Sequence, residues 1–391
     1  MNEIVFTRWE EGCFTFLDQT QLPEQERWVQ ALDARTVAEA IRSMQIRGAP
    51  LIGIAAAFAI CLEARKLAAR KLTPAEFRQE LQEVHKLLLA TRPTAVNLAW
   101  SLQRMQDVWD EILEDLEQSS PNTALDENES KALVSELVRE ACAIRDEDAE
   151  NCRRIGECGA DLLAGLADTS RELTLMTYCN TGSLATAQYG TALGVIYLLA
   201  ERGFRLRVYV PETRPLLQGA RLTSWELVRA GIEAVLITDN AIASVLRERK
   251  VQAVIAGADR ITRTGDVANK IGTYGLAVLA KEHRVPFYIA APRSSFDLRL
   301  EHGAEIPIEE RAGEEVTTLW GHRVAPPEVL VYNPAFDVTP ASLVTAIFTE
   351  YGVLRPPYRE SITDLLSEDG ESICLNRNRR KSSKGSEKSS R

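Results

Sequence analysis

The sequence predicts an α/β protein: a mainly helical N-terminal domain followed by a C-terminal Rossmann-like domain built on a parallel sheet. Three observations carry this. The chain has 391 residues, more than the roughly 100–200 of one typical domain. From Thr36 to about Leu116, apolar residues recur intermittently at helical spacing. After one further helix over 131–166 the period changes, and "ELTLMTY", "RLRVYV", "EAVLIT", "VQAVIAG" and "PFYIAA" follow as short β-branched or apolar runs separated by helix-length segments. Strands alternating with helices build a parallel sheet covered on both faces. The predicted divisions are 1–145, small strands plus helices; 146–366, the Rossmann-like α/β domain; and 367–391, a disordered basic tail.

Taken in order, residues 4–20 alternate enough for a hairpin or short strands. "TVAE", from Thr36, matches a capping box that opens a helix, and "RGAP" and "TRPTAVN" break the helical pattern that follows. "EQSSPNTALDENES" (117–130) is polar and carries a proline, which predicts a surface loop between two helices. In open parallel sheets ligands sit outside the carboxyl ends of the strands. The segments to inspect are therefore "CNTGS", "PETRPLLQG", "DNA" and "GADRITRTGDVANK", each directly after a predicted strand. The end of the chain from Asn376, "NRNRRKSSKGSEKSSR", is basic, serine-rich and nearly free of apolar residues, as expected of a solvated disordered tail; an RNA- or partner-binding arm is the other reading.

Composition narrows the function classes. Apolar content of 45% and charged content of 26% are ordinary for a soluble globular chain. A net charge of −10 offers no global attraction to nucleic acid or an anionic membrane, so any anion site must be local. The N-terminus lacks a basic region followed by an apolar run, so no signal peptide is expected. The longest apolar runs, such as "LIGIAAAFAICL", fall short of the ~18 residues of a membrane span. Seven scattered cysteines, an odd number, fit free thiols in a reducing cytoplasm better than a disulfide framework. Neither the cysteines nor the four histidines show metal-ligand spacing, so no metal is expected; "GTYG" lacks the Gly-Lys-Ser/Thr ending and the strand–G-x-G-x-x-G order of nucleotide loops, and no cofactor is expected.

Two segments carry candidate chemistry for proton transfer. Cys179 follows "LTLMTY" and precedes "NTGSLATAQYGTAL", a predicted strand, turn and helix start where backbone N–H groups and the helix dipole favour anions and lower a thiol pKa. A small buried packing thiol is equally consistent with that stretch. Asp259 follows "VQAVIAG", and Asn269 and Lys270 come within about one loop and are predicted to begin a helix. An acid, an amide and an ammonium gathered there suit proton transfer beside a bound phosphate; an Asp259–Arg260 pair and a solvated Lys270 are the alternative. Arg47 in "RGAP" and Arg92 in "TRPT" each stand beside glycine or proline at a predicted helix start, a placement that offers a guanidinium and N–H groups to an anion or merely punctuates helices. Glu212, Arg214 and Gln218 follow another strand. Together these groups imply a small phosphorylated ligand.

In order along the chain, "DQTQLP", "RGAP", "TRPTAVNLAW", "YCNTGSLATAQYGTALG", "PETRPLLQGARLTSWEL", "DNA", "GADRITRTGDVANKIGTY" and "YNPAFDVTP" resemble the methylthioribose-1-phosphate isomerases of methionine salvage. That family shares its fold with the regulatory subunits of translation initiation factor 2B and with ribose-1,5-bisphosphate isomerase. The resemblance runs from about Trp9 to Tyr358. It implies an aldose–ketose isomerase with Cys179 and Asp259 as catalytic residues, and with substrate contacts from Arg47, Gly48, Ala49, Arg92, Gln218, Asn269 and Lys270. It also implies a homodimer acting on a small sugar phosphate, with no membrane or nucleic-acid partner. The regulatory subunits typically lack the Cys/Asp pair, so its retention favours an enzyme over a non-catalytic, ligand-sensing subunit. Ser183, where relatives often carry a large aromatic, and Pro211, where an acidic residue is common, bear on substrate choice. Isomerases of 5-deoxyribose 1-phosphate or ribose 1,5-bisphosphate are the enzymatic alternatives.

Overall fold

Residues 5–10, 12–93, 95–120, 122–167 and 169–366 are described by a computed structural model of the chain; the predicted tail, 367–391, lies outside them. The chain divides into two units. Of the described residues, one holds those up to 150 together with 180–190 and 221–226; the other holds those in 151–179, 191–220 and 227–366.

In the first unit, β1 (Thr7–Glu10), β2 (Cys13–Leu17) and β3 (Trp28–Ala31) form an antiparallel sheet in that order. Helix α1 (Ala34–Arg42) is capped by Asp33, whose carboxylate accepts the Thr36 N–H at 2.7 Å. The helix thus starts before the predicted box at Thr36, because an aspartate in extended backbone satisfies the orphan first-turn donor and draws Thr36 into the helix. Helices α2 (Ala49–Leu67), α3 (Pro74–Leu89), α4 (Val96–Ser119) and α5 (Glu127–Ala164) follow. Fourteen of the 19 residues of α2 are buried, which makes it the central helix of this unit's core, packed with Trp109 and Leu113 of α4 and Leu133 and Leu137 of α5. An all-apolar surface such as "LIGIAAAFAI" is stable in water only when surrounded in this way. The α4–α5 loop is shorter than predicted. Asp126 accepts the Asn128 and Glu129 N–H groups and Glu129 reaches back to the Asp126 N–H, so residues predicted as loop form the first turn of α5.

From residue 172 strands and helices alternate: β4 (Glu172–Thr177), α6 (Ala192–Glu201), β5 (Arg205–Pro211), α7 (Ser224–Arg229), β6 (Glu233–Ile237), α8 (Ile242–Glu248) and β7 (Ala253–Ala256). A hairpin, β8 (Arg260–Thr262) and β9 (Val267–Lys270), precedes α9 (Thr273–Glu282), β10 (Phe287–Ala290) and β11 (Phe296–Asp297). The chain continues through α10 (Glu314–Thr317), β12 (Thr318–Leu319), β13 (His322–Arg323), β14 (Phe336–Thr339), β15 (Ala346–Thr349), β16 (Gly352–Leu354) and α11 (Tyr358–Leu366).

Seven strands form a mixed sheet in the order β16-β15-β10-β7-β4-β5-β6. All neighbours pair parallel except β15 and the edge strand β16. The five predicted strands lie side by side in it, while β15 and the antiparallel β16 were not foreseen. Residues alternating along the strands enter two separate cores. Met176, Val254 and Ile289 pack with α8, α9 and α11, whereas Leu175, Ala253, Ile255 and Phe348 pack with α6 and the end of α5. The sheet is therefore buried on both faces, as its nearly continuous apolar strands require. Strand order reverses between β4 and β7, with β5 and β6 on one side and β10 and β15 on the other. A second sheet, β11-β8-β9-β14, carries the segment "DRITRTGDVANK".

Candidate active site

In the larger unit the chemistry-bearing residues gather at the carboxyl ends of the parallel strands. Cys179 lies two residues beyond β4, 8% exposed, with a left-handed φ of 59°. Hydrogen bonds linking three strand ends hold this backbone. The Cys179 N–H donates to Thr213 Oγ1 at 3.1 Å, beyond β5, and the Thr213 N–H donates to Asp239 Oδ1 at 2.8 Å, beyond β6. The Arg214 N–H donates to the other Asp239 oxygen at 2.7 Å. Asp239 thus fixes the turn after β5, and that turn fixes the thiol-bearing residue. No α-helix begins directly after Cys179. The chain forms a short 3-10 turn at Ser183–Ala185 and a Gly182–Gly190 bridge before α6 starts at Ala192, so the predicted helix-dipole influence on the thiol is not built there.

Asp259 follows β7, the neighbour of β4 at the point where strand order reverses. It is half-buried, and its N–H donates to the carbonyl of Ala268, the residue before Asn269. Arg260 lies 3.6 Å from Asp297; burial lowers its pKa, opposed first by Asp297.

Asn269 and Lys270 end strand β9 rather than starting a helix. Their strand state comes from pairing with Asp337 and Phe336 of β14, while β8 pairs with Val267 and Ala268 at the start of the same strand, a non-local cause invisible in a four-residue window. Both are buried, at 4% and 9% exposed, which overturns the solvated-lysine alternative. Lys270 Nζ donates to the Ala335 carbonyl at 2.9 Å and sits 4.8 Å from the centre of the Phe336 ring. Asn269 Nδ2 donates to Thr273 Oγ1 at 3.0 Å.

The turn after Lys270 is pinned by groups the sequence reading did not single out. Asp337 of β14 accepts the Gly272 N–H at 2.7 Å and the Tyr274 N–H at 3.0 Å, capping the start of α9. Burial pushes its carboxyl up to about 6, against the pull of those two donors and of Lys270. Tyr178 Oη donates to the Ile271 carbonyl at 2.9 Å, and burial raises the phenol pKa. Gly272 must be glycine: its φ is 101°, and a Cβ would stand 2.0 Å from that phenol oxygen. The only sequence signal for Asp337 is a lone carboxylate in "AFDVTP". Gln218, at the start of the helical segment that follows the turn after β5, is 4% exposed and its Oε1 has no hydrogen-bond partner among the described residues.

In the smaller unit Arg47 is 7% exposed; Nε donates to Gln19 Oε1 at 2.9 Å and Nη1 to the Asn180 carbonyl at 3.0 Å. Gly48 precedes α2 with φ 98°, and a Cβ there would stand 2.5 Å from Ala185 Cα; Ala49 opens the helix. Arg92 lies in the turn between α3 and α4, half-buried, with Nη1 3.8 Å from Met44 Sδ. Gln19 Nε2 donates to the Leu184 carbonyl at 2.7 Å. Glu226 is fully buried and accepts from Asn180 Nδ2 and from the Ser183 N–H, both at 2.7 Å; burial pushes its carboxyl up. Gln19, Asn180 and Glu226 are further polar anchors that sequence reasoning passed over. Each stood inside a quoted motif, but no local pattern marks a buried pairing 46 residues apart.

A thiol and a carboxylate on loops at the carboxyl edge of a doubly covered sheet, with an amide and an ammonium at the end of β9 in the segment that follows β7, define an α/β fold organised for small-ligand chemistry. The chain belongs to the Initiation factor 2 subunit family, which matches residues 45–356. It is 50% identical over 365 residues to the 5-deoxyribose 1-phosphate isomerase of Moorella thermoacetica, covering 93% of this chain and 97% of that one. It is 47% identical over 365 residues to the methylthioribose-1-phosphate isomerase of Desulforamulus reducens, covering 93% and 99%. Among solved structures, 5-methylthioribose 1-phosphate isomerase from Pyrococcus horikoshii OT3 superposes with a TM-score of 0.80 at 41% identity, covering 92% of this chain and 95% of that one.

Proposed function

We propose that the protein is an aldose–ketose isomerase converting 5-methylthio-α-D-ribose 1-phosphate to 5-methylthio-D-ribulose 1-phosphate in methionine salvage. The observation that carries this reading is the pair Cys179 and Asp259, borne by loops after the neighbouring strands β4 and β7 where strand order reverses. The names of the isomerase relatives support it. The same strand order supports a Rossmann-like reading of the larger unit. The active form is taken to be a cytoplasmic homodimer, two-fold assembly being the commonest for soluble proteins.

The anomeric oxygen of an aldose 1-phosphate is esterified, so the ring cannot open as a free sugar does. In this reading Asp259, in its acid form, protonates the ring oxygen as its bond to C1 breaks. Hydrogen then moves from C2 to C1 while the C2 hydroxyl gives up its own proton, which restores the acid form of Asp259, leaving a ketone at C2 and the phosphate ester on C1. Cys179 acts on that transfer in one of two ways: as the base that carries a proton through an enediol, or as the group that stabilises a hydride shift. Arg47, Gly48, Ala49, Arg92, Gln218, Asn269 and Lys270 bind the substrate, with Arg92 and Lys270 on its phosphate. The unpartnered, buried Gln218 Oε1 supports a contact to a ligand donor.

A second substrate, 5-deoxyribose 1-phosphate, is favoured by the relative 50% identical. Phosphorus NMR of wild type and Cys179→Ser with each sugar phosphate tests both. Conversion of either by wild type alone supports the isomerase, and the faster sugar names the substrate. Failure to convert both would refute it.

A further inference from the structure

Asn180 follows the thiol-bearing residue directly and belongs to no helix or strand. It is 3% exposed. Its amide nitrogen donates to two acceptors, Glu226 Oε1 at 2.7 Å and Thr223 Oγ1 at 3.1 Å. The other Glu226 oxygen accepts the Ser183 N–H at 2.7 Å, so the carboxylate presents acceptors on both sides. That fixes which way the Asn180 amide is turned: the NH₂ group faces Glu226, and the carbonyl oxygen faces away. Asn180 Oδ1 has no hydrogen-bond partner among the described residues. Buried polar atoms are seldom left unpaired, because the loss of solvation is uncompensated.

The chemistry of the missing partner follows from the atom. An amide oxygen only accepts, so its partner must donate. An ionised phosphate offers acceptors alone, and a methylthio group offers no donor; a sugar hydroxyl offers one. We infer that Asn180 is a further substrate-binding residue whose Oδ1 accepts a hydrogen bond from a ring hydroxyl of the sugar, with Glu226 as the positioning residue that orients the amide. This rests on the sugar-phosphate reading above. It assigns Glu226, in "SWEL", and the asparagine of "CNTG" a division of labour: one holds, the other touches the ligand.

The test pairs deletion of the protein group with deletion of the ligand group. Binding of 5-methylthioribose 1-phosphate and of its 2-deoxy and 3-deoxy analogues is measured by calorimetry on the full chain carrying Cys179→Ser, which blocks turnover, with and without Asn180→Ala. We expect Asn180→Ala to weaken the parent sugar by about tenfold, the range of one lost hydrogen bond with its partner left unpaired, and to leave one deoxy analogue within about twofold. Glu226→Gln should weaken the parent sugar and spare the same analogue. An equal loss for all three ligands, or none for any, overturns the inference. Should Asn180→Ala fail to fold, the Cys179→Ser protein still decides: losing neither hydroxyl by more than about twofold overturns it, and losing one by about tenfold supports it. If wild type neither binds nor converts the parent sugar, the isomerase reading fails and this inference with it; conversion with equal losses sinks the inference alone.

Discussion

Replacing Gly272 by alanine tests the turn that joins the end of β9 to α9. The backbone there has φ 101° and ψ −14°. An L-residue in the left-handed region costs roughly 1–2 kcal/mol, and this φ lies beyond its centre, so about 2 kcal/mol is the fitting figure. The added Cβ would stand 2.0 Å from Tyr178 Oη, an overlap no rotamer of alanine relieves, so the tyrosine must withdraw. Its 2.9 Å bond to the Ile271 carbonyl is then lost, at a further ~1 kcal/mol. The single variant should therefore be about 3 kcal/mol less stable in urea unfolding. Tyr178→Phe removes the overlapping oxygen together with that bond and should cost about 1 kcal/mol. In the double variant the bond can be lost only once, so the expected total is about 3 rather than 4 kcal/mol, a coupling of about 1 kcal/mol. Additivity within roughly 0.5 kcal/mol would mean that Gly272 and Tyr178 do not meet as described. Because Tyr178 adjoins Cys179 and Gly272 lies two residues past Lys270, turnover should fall in the same variant.

Further expectations concern the proposed chemistry and its support. Cys179→Ser and Asp259→Asn should each lower kcat at least ~10²-fold, the lower range for a general acid or base; near-normal turnover in either removes that residue from the mechanism. Arg92→Ala should raise KM more than it lowers kcat if its guanidinium binds phosphate in ground and transition state alike, and an unchanged KM contradicts that contact. Asp337, at about 6 in the folded chain, lies above its ordinary value of 3.8, so between those pH values the native state holds a proton that the unfolded chain releases. Its contribution to stability is full below pH ~4 and is lost as pH rises through about 6. The stability of wild type relative to Asp337→Asn should accordingly decline from pH 4 to pH 7 in urea titrations, and a flat difference contradicts the burial of that carboxyl.

Much of the fold was legible because burial imposes period on sequence. "RLRVYV" and "VQAVIAG" read as strands since both faces of the sheet are covered, and "LIGIAAAFAICL" reads as a buried helix because only a surrounded helix can be apolar all round. Local propensity misled where partners lie far away. Local pattern predicts a helix start at Asn269 and Lys270, yet pairing with Asp337 and Phe336 of β14 holds them in a strand. The strand, turn and helix start predicted around Cys179 are present, but the turn is longer than local pattern suggests, with a 3-10 turn and a bridge before α6 begins at Ala192.

For the candidate site the division has the same physical origin. Strand–loop alternation was enough to point at the loops after β4, β5 and β7, and hence at Cys179, Gln218 and Asp259, because ligand sites of such sheets form where strands end. Which side chains hold those loops depended on pairings between residues remote in the chain. Asp239 reaches back to Thr213, Asp337 caps a turn 65 residues away, and Glu226 turns the amide of Asn180. A hydrogen bond is set by distance in space, within about 3 Å, and leaves no period along the chain. The strands and their loops could therefore be read from the residue order, whereas the burial of Lys270, the indispensability of Gly272 and the oxygens of Gln218 and Asn180 left without a partner among the described residues are decided only by the folding of each unit.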